Sequence, residues 1–298
     1  MKYKKVAVLM GGPSAEREVS LRSGAAVAKG LRQAGYDVQE IDVKAYEVNI
    51  PSEIEAVFIA MHGEFGEDGQ IQQILQDQGM PFTGSGPESS KASFDKVLSK
   101  KIFIRNNIPT PRYELLNAGG QATLPLPVVV KPARQGSSIG VHKVETGLEW
   151  SAAFMDALKY DANVIVEEFI KGRELTVGIV CGRVLPVIEI VAPDHWYDFE
   201  AKYKYTKGKT DYLVPAPISK KATTECQKLA MDVFKSLGCE GMGRIDFLMT
   251  ADEKLYALEL NNIPGFTETS LLPKSAASAG ISFPELCDMI MQSARKHS

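Results

Sequence analysis

Long apolar runs and a large excess of either charge are missing from this 298-residue chain, and cysteine is scarce. The four cysteines are Cys181, Cys226, Cys239 and Cys287. None is paired as CxxC and none lies near a histidine at zinc-ligand spacing, so neither a cysteine-based zinc site nor a disulfide framework is encoded. They read as reduced, mostly buried thiols of a cytoplasmic protein. No run approaches the ~20 apolar residues that cross a bilayer, so no membrane partner is expected. Lys and Arg number 34 against 37 Asp and Glu, a net charge of −3 that gives no sign of nucleic-acid binding. The opening "MKYKKVAVLMGG" is basic and then apolar, but its apolar part is too short for a signal peptide and reads as a first strand.

What is present is an ordinary globular composition, 44% apolar and 24% charged, long enough for two or three domains with full cores. Residues 1–85 alternate strand and helix. "KVAVLM" is a buried strand, 15–34 a helix carrying Val19, Ala26, Val27, Leu31 and Ala34, and "AGYDV" restarts a strand. "IEAVFIAMHG" is another buried strand and "DGQIQQILQDQG" a short helix closed by glycine. This βαβ order predicts a parallel sheet. "FTGSGPESS" marks a boundary near residue 85. Residues 86–172 hold a helix around "SFDKVLSKKIFIRNN", the strand "PVVVKPA", the loop "RQGSSIG" and the strand "VIVEEFI". Residues 173–298 are richer in strands, with "RELTVGIVCG", "RVLPVIEIV", a helix over 220–237, two strands around 242–261 and a closing helix from Phe283. The class is α/β, α+β in parts. A polar, lysine-rich stretch over 194–212 lacks periodicity, and loops this long are functional or disordered.

Two glycine motifs carry no nucleotide chemistry. "GKT" at 208–210 has Tyr203 where a P-loop needs glycine. "GSGPES" at 84–89 has serine at the third glycine position of a dinucleotide fingerprint and lies at a boundary rather than in a first βα turn.

"GRIDFLMTADEKLYALELNN", 243–262, is more informative. Read as a hairpin turning between Asp252 and Glu253, it places Ile245, Phe247, Met249, Tyr256, Leu258 and Leu260 on one apolar face. Asp246 then lies opposite Glu259 and Arg244 opposite Asn261, with Cβ atoms roughly 4.5–5.5 Å apart. Two carboxylates that close suit a hard divalent cation, to which the Asn261 amide oxygen adds a ligand. A solvated face with an Arg–Asp pair explains an isolated hairpin as well. The context is "VVVKPARQGSSIG", where Lys131 ends a buried strand and Gly136, Ser137, Ser138 and Gly140 offer backbone N–H groups suited to phosphate oxygens.

Seven segments, in order over nearly the whole chain, together resemble the D-alanine–D-alanine ligases of the ATP-grasp superfamily. They are "GGPSAEREVSLRSG", "MHGEFGEDG", "FDKVLSK", "VVVKPARQGSSIG", "YDFEAKY", "GRIDF" and "ELNNIPGFTETSLLP". The resemblance implies three domains, with a Rossmann-like N-terminal sheet and ATP held between the central and C-terminal domains. It implies ATP-dependent phosphorylation of one D-alanine carboxylate and attack by the amine of a second, yielding the dipeptide for peptidoglycan synthesis. Lys96 and Lys131 would hold ATP phosphates, Glu167 and Ile170 the adenine and Glu174 the ribose, with Ser137, Ser138 and Lys202 also binding ATP. Asp246, Glu259 and Asn261 would hold two Mg²⁺ or Mn²⁺ ions. Glu16 and His62 would lie near the first ammonium, with Arg244 and the Gly265 N–H at the oxyanion. Ser270 and the Leu271 backbone would bind the second carboxylate. Ser137, Tyr203 and Glu16 would form a chain closing a mobile loop, 194–212, over the site and excluding water. Tyr203 in "EAKY" favours a dipeptide over the D-alanine–D-lactate product of related ligases. Relatives are commonly homodimers. Asn262, Ile263 and Phe199 depart from the usual pattern.

Overall fold

The computed structural model describes residues 1–192, 210–267 and 269–297. The first sheet is β1 (Lys5–Gly11), β2 (Asp37–Val43) and β3 (Ala56–Ile59), parallel in the order β2-β1-β3. β1 is buried from Val6 to Gly11, as a strand covered on both faces should be. The crossover is α1 (Arg17–Gln33), which buries Val27 and Leu31 as expected, along with Ser20, Ser23 and Gly30. Val19, Ala26 and Ala34 are only partly covered. Gly30 sits mid-helix because another helix crosses there: a Cβ would lie 2.9 Å from the Cys287 sulfur. That helix is α8 (Phe283–Gln292), the last of the described chain, and its Leu286, Ile290 and Met291 join the core of the first sheet.

The next helices are α2 (Gln70–Asp77), α3 (Pro87–Phe94) and α4 (Lys96–Arg105). The helix expected around 93–107 is thus broken at Asp95, which adopts an extended conformation (φ −84°, ψ 106°). Its carboxylate accepts from the Val97 and Leu98 amides at 2.9 and 3.0 Å, an N-cap that begins α4 at Lys96.

A four-stranded antiparallel sheet follows, in the order β4-β7-β5-β6. Its strands are β4 (Tyr113–Leu116), β5 (Val128–Pro132), β6 (His142–Val144) and β7 (Val164–Glu168), with α5 (Gly147–Ala157) packed on it. The last sheet comprises β8 (Arg173–Val180), β9 (Arg183–Val184), β10 (Ile188–Val191), β11 (Asp211–Leu213), β12 (Met242–Met249) and β13 (Leu255–Asn261). Its order is β11-β10-β8-β12-β13, with β9 on β8. "RVLPVIEIV" splits around Pro186, and Asp211 and Tyr212, read as loop, open β11. α6 (Lys220–Ser236) covers this sheet, and α7 (Leu271–Ser278) precedes α8.

The β12–β13 hairpin has the expected register where it matters and a different one near its turn. Asp246 pairs with Glu259 and Arg244 with Asn261, but Phe247 pairs with Ala257, leaving Leu258 as a bulge. One extra residue reverses the facing of everything on the turn side of it. Leu255 and Ala257 therefore enter the core with Ile245, Phe247, Met249 and Leu260, while Tyr256 and Leu258, expected there, stay partly exposed.

Candidate active site

Asp246 is 6% exposed. One carboxylate oxygen accepts from Thr176 Oγ1 at 2.6 Å and Arg244 Nε at 3.0 Å. The other accepts from Arg244 Nη2 at 2.8 Å and Asn261 Nδ2 at 3.1 Å. Across the hairpin, Glu259 lies 3.3 Å from Lys96 Nζ, which also donates to the Gln135 carbonyl at 2.7 Å. Each carboxylate thus meets a cation: Arg244, expected on this face from the strand period, and Lys96, which the start of α4 brings in from outside the hairpin. The donor set of two carboxylates and an amide still suits Mg²⁺, which takes one or two carboxylates and completes its shell with water and substrate phosphate. No group of three or more His, Cys, Asp or Glu that could cage a metal occurs among the described residues.

A cavity of about 320 Å³ opens beside this edge. Glu16, His62, Ser137, Arg244, Glu259, Asn261, Gly265, Ser270 and Leu271 all line it. Ser137 donates its hydroxyl to the Glu16 carboxylate, joining the start of α1 to the "RQGSSIG" loop. The loop can approach because Gly136 has no side chain: a Cβ there would lie 2.8 Å from Glu16 Oε2. Ser137 and Ser138 both have left-handed backbones, φ 53° and 58°, conformations that fold successive amides into an anion-binding concavity. Gly265 lies against Ser270, where a Cβ would meet the hydroxyl at 2.7 Å. Ser270 precedes α7, so the Leu271 amide begins that helix with its N–H unpaired within it. A larger cleft of about 850 Å³ shares Glu16 with this cavity but is lined by no other predicted site residue.

His62 has both ring nitrogens engaged: Nε2 with Ser23 Oγ at 2.9 Å and Nδ1 with the Ile263 carbonyl at 3.2 Å. Its Nδ1 also lies 3.5 Å from Glu67. Burial pushes the imidazolium down, but Glu67 and Glu16 outweigh it and hold His62 above its ordinary range. Burial, with Glu16 adding to it, raises the Glu67 carboxyl against the pull of His62.

Glu167, which does not line this cavity, is buried on β7 with Oε1 2.8 Å from Lys131 Nζ and 3.1 Å from Lys100 Nζ. Burial alone would raise this carboxyl; the two lysines together hold it below the usual range. Ile170 and Glu174 follow at the end of β7 and start of β8, both half-buried.

The family model described as "D-ala D-ala ligase C-terminus" matches residues 98–292, and "D-ala D-ala ligase N-terminus" matches 42–85. The chain belongs to the D-alanine–D-alanine ligase family. It is 45% identical to the D-alanine–D-alanine ligase of Methylacidiphilum infernorum, over 97% of this chain and 95% of that one. It is also 45% identical to that of Syntrophotalea carbinolica, over 99% and 97%. The crystal structure of the D-alanine–D-alanine ligase from Bacillus anthracis superposes with a TM-score of 0.85 at 33% identity, covering 97% of each chain. The same enzyme complexed with ATP gives 0.84 at 30% identity, again over 97% of each. The fold is the α/β ATP-grasp arrangement expected from the sequence.

Of the residues the D-alanine–D-alanine ligase resemblance singled out, Phe199, Lys202 and Tyr203 lie outside the described residues, as does the closing loop over 194–209. The family departures at 262 and 263 have structural partners. Asn262 donates to the Glu67 carbonyl at 3.0 Å, and Ile263 is 3% exposed in the first core, its carbonyl on His62. Sequence reasoning missed Glu67, Thr176 and Lys100. Glu67 was within reach, since it follows His62 in the acidic "HGEFGEDG" segment; Lys100 and Thr176 become visible only once the sheets are packed.

Proposed function

We propose that this chain joins two D-alanine molecules at the expense of ATP, releasing D-alanyl-D-alanine, ADP and phosphate. The γ-phosphoryl group passes to the carboxylate of the first D-alanine. The amine of the second attacks that carbonyl carbon, and the carbon–oxygen bond to phosphate breaks. The observation that carries this reading is the meeting, around one cavity, of Glu16 bonded to Ser137 and of Glu259, opposite Asp246, paired with Lys96.

Each role follows from charge and position. Lys96 and Lys131 hold ATP phosphates, with the backbone amides of the 136–140 loop, Ser137 and Ser138 among them. Glu167 and Ile170 receive the adenine, Glu174 the ribose, and Lys202 adds a phosphate contact. Glu16 accepts the first ammonium. His62 supports that site through its neighbours, since both of its ring nitrogens are engaged. Arg244 and the Gly265 amide stabilise the oxyanion, and Ser270 with the Leu271 amide holds the second carboxylate. Two Mg²⁺ or Mn²⁺ ions on Asp246, Glu259 and Asn261 would offset charge on the transferring phosphoryl group. Ser137, Glu16 and Tyr203 link the loop of 194–212 to the site and exclude water from the acyl phosphate.

By the same family reading the lobes are 1–85, 86–172 and 173–298, the last helix returning to the first core. The enzyme is cytoplasmic, homodimeric and serves peptidoglycan precursor synthesis. No described helix is long and apolar enough to cross a membrane. Incubation with ATP, Mg²⁺ and D-alanine tests the activity: phosphate release and dipeptide both depend on D-alanine. Release with D-lactate as the preferred second substrate, or with another carboxylate alone, contradicts it.

A further inference from the structure

Lys100 stands one helical turn beyond Lys96 on α4 and has no place in the reading above. Its side chain is fully enclosed, at 0% exposure, whereas that of Lys131 retains 9%. An ammonium carries three donors. Lys100 Nζ donates to Thr110 Oγ1 at 2.7 Å and to the Pro111 carbonyl at 3.3 Å, and it stands 3.1 Å from Glu167 Oε1 as an ion pair. The Tyr113 ring lies 5.5 Å from the same nitrogen. Thr110 in turn donates to the Ala257 carbonyl of β13 at 2.8 Å, so the ammonium is anchored to both antiparallel sheets. Lys131 presents a different picture. Glu167 is its one ion-pair partner among the described residues, on the same oxygen that Lys100 uses.

Two cations thus share one buried carboxylate, which needs one of them. The fixed one is Lys100 and the one with an open edge is Lys131. We infer that Lys100 is a positioning residue for ATP binding: by keeping Glu167 neutralised, it frees Lys131 to leave the carboxylate for a phosphate oxygen. Without Lys100, moving Lys131 to the nucleotide would strand a buried carboxylate with no counter-charge, and breaking a buried pair from one side is strongly unfavourable. Lys131 would then stay on Glu167. This inference rests on the assignment of Lys131 to the ATP phosphates.

The experiment is steady-state kinetics on the full chain. Lys100→Met is expected to raise the KM for ATP at least about tenfold, with kcat at saturating ATP and the KM for D-alanine within about twofold. Lys100→Met combined with Glu167→Gln removes the charge that traps Lys131, and its KM for ATP is expected to match that of Glu167→Gln alone. A purely structural lysine would not show this rescue. An unchanged KM for ATP in Lys100→Met overturns the inference, as does a tenfold difference between Glu167→Gln and the double variant. If Lys100→Met does not fold, the Glu167→Gln pair decides alone. Lys131→Met separates the two readings: an unchanged KM for ATP there overturns the phosphate assignment itself, whatever Lys100 does.

Discussion

At the residue scale, the site is a set of charges that neutralise one another until substrates arrive. Arg244 closes on Asp246, Lys96 on Glu259 and Lys131 on Glu167. Each pair joins a group read as a metal, oxyanion or phosphate ligand to one of opposite sign, so these cations are held near their working positions. Glu259 tests this most simply, because its side chain is 30% exposed and Lys96 keeps the Gln135 carbonyl as a partner without it. Glu259→Gln is expected to lower turnover at least about a hundredfold by weakening metal binding, with a thermal midpoint within a few degrees of the parent. Near-normal turnover in that variant contradicts the metal assignment. That Arg244 and Asp246 share one face of the hairpin was legible from the strand period, whereas Glu16 was singled out only through its motif. Lys100 was not, because nothing in "KVLSKK" distinguishes a lysine enclosed by two sheets from one in solvent.

At the element scale, most strands and helices followed from their apolar period, while the junctions did not. Asp95 belongs to an uninterrupted helical pattern in sequence, yet its carboxylate competes for the amides of Val97 and Leu98 and divides the helix. That division starts α4 at Lys96, whose ammonium meets Glu259. Asp95→Ala is expected to cost α4 about 1 kcal/mol of local stability, with Asp95→Asn keeping most of it. Hydrogen exchange at Val97 and Leu98 should then quicken about fivefold; unchanged rates would remove the cap from the account. The Leu258 bulge is the other unreadable junction. Counting from the expected turn aligned Asp246 with Glu259 correctly, but alternation through Leu258 put Tyr256 in the core, where Ala257 is. A bulge leaves no mark on composition, and here two apolar neighbours served either face.

At the scale of the whole molecule, the chain order and the spatial order part at the end. The closing helix was legible, but not its destination, because an amphipathic helix does not encode which sheet it covers. It returns to the first sheet, packing against α1 beside Gly30, and Leu286 there is fully buried. Leu286→Ala should therefore destabilise the first lobe by about 2–5 kcal/mol, measured as a lower unfolding midpoint; a midpoint equal to the parent's would mean that the helix is dispensable to that core. The three sheets meet around the cavity that Glu16, Arg244 and Glu259 share, which is where the proposed phosphoryl transfer to a carboxylate takes place. That step is tested most directly by turnover of D-alanine labelled with ¹⁸O in its carboxylate, with the released phosphate examined by mass spectrometry. One labelled oxygen per phosphate is the result this account predicts. Phosphate released without label, or no release that depends on D-alanine, would contradict it.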